Sequence, residues 1–155
     1  LLYLTRVTRL FPNSRRINRY NLTHLDYEQE QELLSGTGAC LMVRASAFRD
    51  VGGFDAAFFM YGEDLDLCRR LREAGHPGHY VPSARVLHVK GESSRQRSGE
   101  MLVEFHRAMW IYYQKHEARS RPASVNFAVH AGITALGMTR LAANALRREK
   151  RVSAR

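Results

Sequence analysis

The sequence predicts an α/β domain that runs into apolar and basic helices, and three observations carry that reading. Residues 38–44 form a compact apolar run behind Gly36 and Gly38, which predicts a buried strand. Leu67, Cys68, Leu71 and Ala74 recur at helical spacing behind Glu63, Asp64 and Asp66, with Arg69, Arg70 and Arg72 further along before Gly75. Acidic residues first, basic residues last and a closing glycine together predict a helix over 63–75. Two further long helices are predicted, one aromatic over about 100–116 and one apolar over 124–146 behind Pro122.

The remaining elements fall between these. Residues 1–32 change from basic to acidic without a sustained period and read as loops with at most one short helix. A short helix over 45–51 ends at Gly52-Gly53. Short strands are predicted over 79–81 and 85–89, divided by Pro82-Ser83, and a glycine- and serine-rich loop covers 91–98. Strand, helix, helix, strands and two helices make the far part of an α/β domain, not a complete doubly wound sheet. Residues 1–116 are expected to be catalytic domain and 117–155 a helical tail.

With 155 residues and 45% apolar content, one domain with a true core is expected. The net charge of +9 is placed unevenly. Residues 1–114 carry 15 basic against 13 acidic side chains, and residues 115–155 carry 9 against 2. Charge of this kind, with no recognition motif and no stripe of arginines between exposed rings, sets nucleic-acid binding aside. Cys40 and Cys68 lack metal or redox spacing, which predicts buried free thiols in a reducing compartment. Leu1-Leu2-Tyr3 carries no initiator Met and no signal peptide, as expected of a piece of a longer cytoplasmic chain.

The chemistry is concentrated in residues 53–70, Gly-Phe-Asp-Ala-Ala-Phe-Phe-Met-Tyr-Gly-Glu-Asp-Leu-Asp-Leu-Cys-Arg-Arg. Four large apolar or aromatic side chains, Phe58 to Tyr61, lead directly onto an acidic helix start, where free amide groups favour negative charge. A carboxylate there can take the proton of an attacking hydroxyl. Acidic residues in a first turn also serve as plain helix-end stabilisers, and spacing alone does not separate the two roles.

Residues 35–44, Ser-Gly-Thr-Gly-Ala-Cys-Leu-Met-Val-Arg, then Val51-Gly52-Gly53-Phe54-Asp55, then 58–70 resemble, in order and spacing, the second half of family 2 glycosyltransferases, most nearly the rhamnosyltransferase-like enzymes. The resemblance covers about residues 10–116. It implies part of the three-layer α/β/α nucleotide-sugar (GT-A type) fold and an inverting displacement at the anomeric carbon of a nucleotide-diphosphate sugar. Asp64 then corresponds to the family's catalytic base, with Glu63 shaping the pocket beside it. Asp66 is expected to support the helix or a neighbouring arginine. Asp64-Leu65-Asp66 is not assigned the family's metal-binding role, because that pair ends a strand upstream.

Further site residues follow from the same resemblance. His88 corresponds to the ligand that completes a divalent metal site, Mn²⁺ or Mg²⁺, with the other ligands outside this chain; a hydrogen-bonded histidine at a sheet edge is the alternative. Arg95 and Arg97 are donor-side candidates for neutralising the departing diphosphate, or else solvated loop residues. Gly36 and Gly38 are donor-side candidates through close backbone approach. Phe58, Phe59 and Tyr61 offer ring faces to an acceptor sugar, and Asp55 either binds an acceptor hydroxyl or caps the following turn.

The tail adds a partner. Trp110, Tyr112 and Tyr113 precede an apolar helix that ends in Arg147-Arg148-Glu149-Lys150-Arg151, a pattern suited to an anionic membrane surface and a lipid-linked acceptor. The apolar run is short for a span. The expected function is therefore transfer of a sugar, with rhamnose the nearest resemblance, to a glycan or lipid-linked acceptor at the inner face of a membrane. In this reading the isolated chain is incomplete and inactive. A truncated, non-catalytic membrane-associated scaffold is the rival.

Overall fold

The computed structural model describes residues 26–88 and 98–153. It holds β1 (Gln31–Leu33), α1 (Ala45–Asp50), α2 (Glu63–Glu73), β2 (Gly78–Tyr80), α3 (Ser98–His116), a 3-10 turn (Ala118–Ser120) and α4 (Ala123–Ser153). This is a small mixed α/β domain with C-terminal helices, and among the described residues its sheet has two strands, β1 and β2.

The chain divides into two compact units. Within the described part of the first, Asp26 Oδ1 accepts the Glu28 amide at 3.0 Å, which fixes a turn before β1. The Tyr27 and Tyr80 rings meet edge to face at 5.6 Å.

The second unit holds both long helices and α2. Its core cluster is Ala47, Leu67 and Leu71, with Leu41, Val43, Phe48 and Val51 packed around it. Leu67 and Leu71 lie one turn apart and share the buried face of α2, as the helical period requires. Phe58, Met101, His106 and Ala108 are also buried. Tyr113 donates to Asn126 Oδ1 at 2.7 Å, and Asn126 Nδ2 donates to the Ala118 carbonyl at 3.1 Å, so the turn between α3 and α4 is closed by side chains. Pro122 stands before α4, and its carbonyl accepts the Val125 and Asn126 amides.

Four expectations are corrected. Residues 38–44 are not a strand: Cys40 closes a turn onto Thr37, and Met42 is 98% exposed. An extended apolar run without a neighbouring ladder leaves its side chains where loop geometry puts them. Residues 85–88 are likewise irregular, while Gln31–Leu33, expected to be loop, pairs with β2. Cys40 is exposed and Cys68 half-buried, although both are free as expected. The loop expected over 91–98 lies almost entirely outside the described residues.

Gly62 shows how tightly the start of α2 is set. It caps the helix at φ 81°, and a Cβ there would meet the Phe58 ring at 3.3 Å and Ala108 at 3.6 Å. Left-handed backbone and a filled neighbourhood both select glycine. Gly62→Ala is expected to destabilise the protein by about 1–3 kcal/mol in urea unfolding.

Candidate functional site

The candidate site is built on the open end of α2. Asp64 is half-buried in the first turn, and its two oxygens are held separately. Oδ2 accepts the Gly38 amide at 2.8 Å, across 26 residues of sequence, and Oδ1 accepts the Leu65 amide at 2.8 Å. An ionised carboxylate has about four acceptor positions, so two amides orient this one and leave capacity for a hydroxyl proton. Beside it, Glu63 Oε2 is buried and has no hydrogen-bond partner among the described residues.

Two residues along, Asp66 is fully buried and faces elsewhere. Its Oδ2 receives Arg70 through Nε at 2.8 Å and a terminal nitrogen at 2.7 Å. Its Oδ1 meets Lys115 Nζ at 2.8 Å and His116 Nε2 at 2.7 Å. Burial alone pushes the Asp66 carboxyl up, but hydrogen bonds from Lys115, His116 and Arg70 overcome this and hold it below the ordinary value. Arg70 spends its other donors on the Val51 carbonyl at 2.6 Å and the Gly53 carbonyl at 2.7 Å. The expectation that Asp66 serves a neighbouring arginine agrees with these contacts. The sequence reading missed Lys115 and His116, because a pairing about 50 residues away leaves no local signal.

Asp55 is engaged in the same network. It receives Lys115 at 2.5 Å and the Ala57 amide at 2.9 Å, so it caps the following turn. The Lys115 hydrogen bond, with the Ala57 amide, holds its carboxyl below the ordinary range. Burial works against the charge of Lys115, yet Asp55 and Asp66 together raise its pKa.

Arg69, next to Arg70, ties α2 to the end of α3 through Glu117 at 2.7 Å and the His116 carbonyl at 3.2 Å.

The aromatic candidates separate by environment. Phe58 is buried and belongs to the core, Phe59 is 73% exposed, and Tyr61, at φ 69°, sets its ring edge to face against Phe105 at 5.6 Å. Gly36 donates its amide to Cys68 Sγ at 3.4 Å. Burial is the main cause that raises the Cys68 thiol, with Asp64 adding to it and the Gly36 amide opposing, which makes a reactive thiolate unfavourable.

His88 is exposed, and among the described residues no group of three or more His, Cys, Asp or Glu side chains is arranged to hold a metal ion. Arg95 and Arg97 lie outside the described residues.

Residues 3–106, which include this helix start and the Gly38 segment, match the family model "Glycosyltransferase like family 2". The chain belongs to the family 2 glycosyltransferases. It is 39% identical over 115 residues to the N-acetylglucosaminyl-diphospho-decaprenol L-rhamnosyltransferase of Mycobacterium tuberculosis, a match covering 74% of this chain and 37% of that enzyme. It is 47% identical over 58 residues to the rhamnosyltransferase WbbL of Escherichia coli, covering 37% of this chain and 22% of that protein. A pre-mycofactocin glycosyltransferase of Mycobacterium tuberculosis is 54% identical over 50 residues, 32% of this chain and 10% of that enzyme. The chain thus spans well under half the length of these curated relatives. No solved structure gives a significant match.

The Asp66 network has a pH signature. Asp66 and Asp55 are held below the unfolded carboxylate value of about 3.9. Their contribution to stability is therefore complete above that pH and is lost as pH falls through the folded values. Urea midpoints are expected to fall steadily between about pH 5 and pH 2. Asp66→Asn, which leaves the cations Arg70 and Lys115 without their buried carboxylate, should lower stability at neutral pH by about 3–5 kcal/mol and flatten that acid dependence.

Proposed function

We propose that this chain supplies the catalytic base and the acceptor side of an inverting glycosyltransferase, with Asp64 taking the proton of the acceptor hydroxyl as it attacks the anomeric carbon. The observation that carries the reading is the Asp64 carboxylate fixed by the Gly38 and Leu65 amides within the stretch matched by the family. With a single base, attack comes from the face opposite the departing nucleoside diphosphate, the facial logic of inverting sugar chemistry. Glu63 lies beside the base, and its unpartnered buried oxygen is suited to receive a substrate hydroxyl. Exposed Phe59 and half-buried Tyr61 offer ring faces to an acceptor sugar.

On the donor side, the Gly38 amide meets Asp64 and the Gly36 amide meets Cys68 Sγ, and Arg95 and Arg97 would neutralise the leaving diphosphate. A divalent metal on that diphosphate would take His88 as one ligand, with the rest outside this chain. The names of the relatives support rhamnose as the donor sugar and a polyprenyl-diphosphate-linked glycan as the acceptor. The GT-A type of fold, of which this chain would form the C-terminal part, accommodates all of these roles.

A lipid-linked acceptor calls for approach to a membrane. Among the described residues no helix is long and apolar enough to cross one. The exposed side of α4 nevertheless carries Phe127, 75% exposed, Met138, 66% exposed, and Leu146, and it turns no ionised side chain outward between them. Arg119 and Arg121 precede this face in sequence, and Arg147, Arg148, Lys150 and Arg151 follow it. An uncharged face between two basic ends suits peripheral attachment to an anionic cytoplasmic leaflet.

Asp64→Asn is expected to lower sugar transfer by about 100- to 10,000-fold in whichever polypeptide carrying this sequence shows transfer, read with radiolabelled nucleotide sugar. Full activity in that variant would refute the base assignment. In sedimentation with phosphatidylglycerol vesicles, the chain should bind, release in high salt, and bind less when Phe127 and Met138 are both changed to Ser. Equal binding to phosphatidylcholine vesicles would remove the electrostatic part of the membrane reading.

A further inference from the structure

We propose that Asp66 is a positioning residue, one that sets the rotation of α2 and so aims Asp64 at the acceptor hydroxyl. The inference rests on the reading of Asp64 as the base. Asp64 and Asp66 are two residues apart on one helix, so at 100° per residue they point to nearly opposite sides. Among the described residues Asp64 has one long-range hydrogen bond, from the Gly38 amide, and a single hydrogen bond is a weak restraint on a helix.

The restraint that fixes α2 sits on its other side. Through Arg70, Asp66 reaches the Val51 and Gly53 carbonyls; through Lys115, it reaches Asp55, which itself caps the turn at Ala57; through His116, it reaches the last turn of α3. Fully buried and joined to Arg70, Lys115 and His116, it links α2 to the 51–55 turn and to the end of α3.

The leverage is geometric. A side chain about 5 Å from a helix axis moves by roughly 1 Å when the helix turns by about 10°. A misplacement of about 1 Å at a reacting group costs up to about a hundredfold in rate. Asp66 touches no reacting atom; it acts on Asp64 through the rotation of the helix that both share.

The Gly38 amide reports on this directly, because its hydrogen is held by Asp64. Hydrogen exchange of the ¹⁵N-labelled 155-residue chain would be followed at Gly38, with Asp64→Ala marking complete release. Asp66→Asn should speed Gly38 exchange by about tenfold more than it speeds exchange at the Ile133 amide, which follows the general loss of stability. Unchanged Gly38 exchange in folded Asp66→Asn overturns the proposal, as does a loss of protection shared by the whole chain, which marks a merely structural role. Where Asp66→Asn does not fold, Lys115→Met decides by the same criteria, because it keeps the Asp66–Arg70 pair and cuts the link to Asp55. The failure of the base reading is separate: full transfer by Asp64→Asn alongside Gly38 released in Asp66→Asn leaves the positioning intact and removes only its catalytic meaning.

Discussion

A fully buried carboxylate, Asp66, meets Arg70, Lys115 and His116 at hydrogen-bonding distance, and the arrangement of the second unit follows from the need to satisfy it. A buried charge without partners is among the most destabilising features a small domain can carry, so every segment that supplies a partner is drawn to it. The 51–55 turn arrives through two carbonyls held by Arg70, and the end of α3 arrives through Lys115 and His116. Arg69 reinforces the same seam one step along α2, bridging Glu73 and Glu117 while lying over the Tyr112 ring. Burial opposes the charge of Arg69, yet Glu117 and Glu73 raise its pKa, so it remains a guanidinium throughout.

Against this fixed side, the opposite side of α2 is lightly held and chemically open. Among the described residues Asp64 receives two amides and no cation, an environment that keeps a carboxylate oriented without tying it into an ion pair. Two aspartates two residues apart thus sit in contrasting environments, and the family match over residues 3–106 spans both the Gly38 segment and the start of α2.

Legibility in the sequence followed how local the forces are. α2 and its bounds were readable because apolar spacing, acidic start, basic end and Gly75 agree with one another, and all of them act within a turn or two. α1, α3 and the start of α4 at Pro122 were readable for the same reason. The run over 38–44 was misread because its composition suits a strand, while strand formation needs a partner that composition does not specify. The pairing of Gln31–Leu33 with β2 was equally invisible, being a relation between distant segments. At the candidate site, the acidic helix start at Glu63 and Asp64 was legible because it is local, whereas Lys115 and His116 looked like an ordinary basic helix end. Of the two roles expected for Asp55, the contacts with Lys115 and the Ala57 amide show the cap.

The central claim is that the Asp64 carboxylate stands where an acceptor hydroxyl attacks. It is tested most directly by a crystal structure of an active polypeptide carrying this sequence, with a non-transferable nucleotide sugar and an acceptor bound together. The account predicts an Asp64 oxygen within about 2.6–3.2 Å of the attacking hydroxyl, on the face opposite the diphosphate. An acceptor hydroxyl held by another group, with Asp64 out of reach and still bound only to the Gly38 and Leu65 amides, would contradict it.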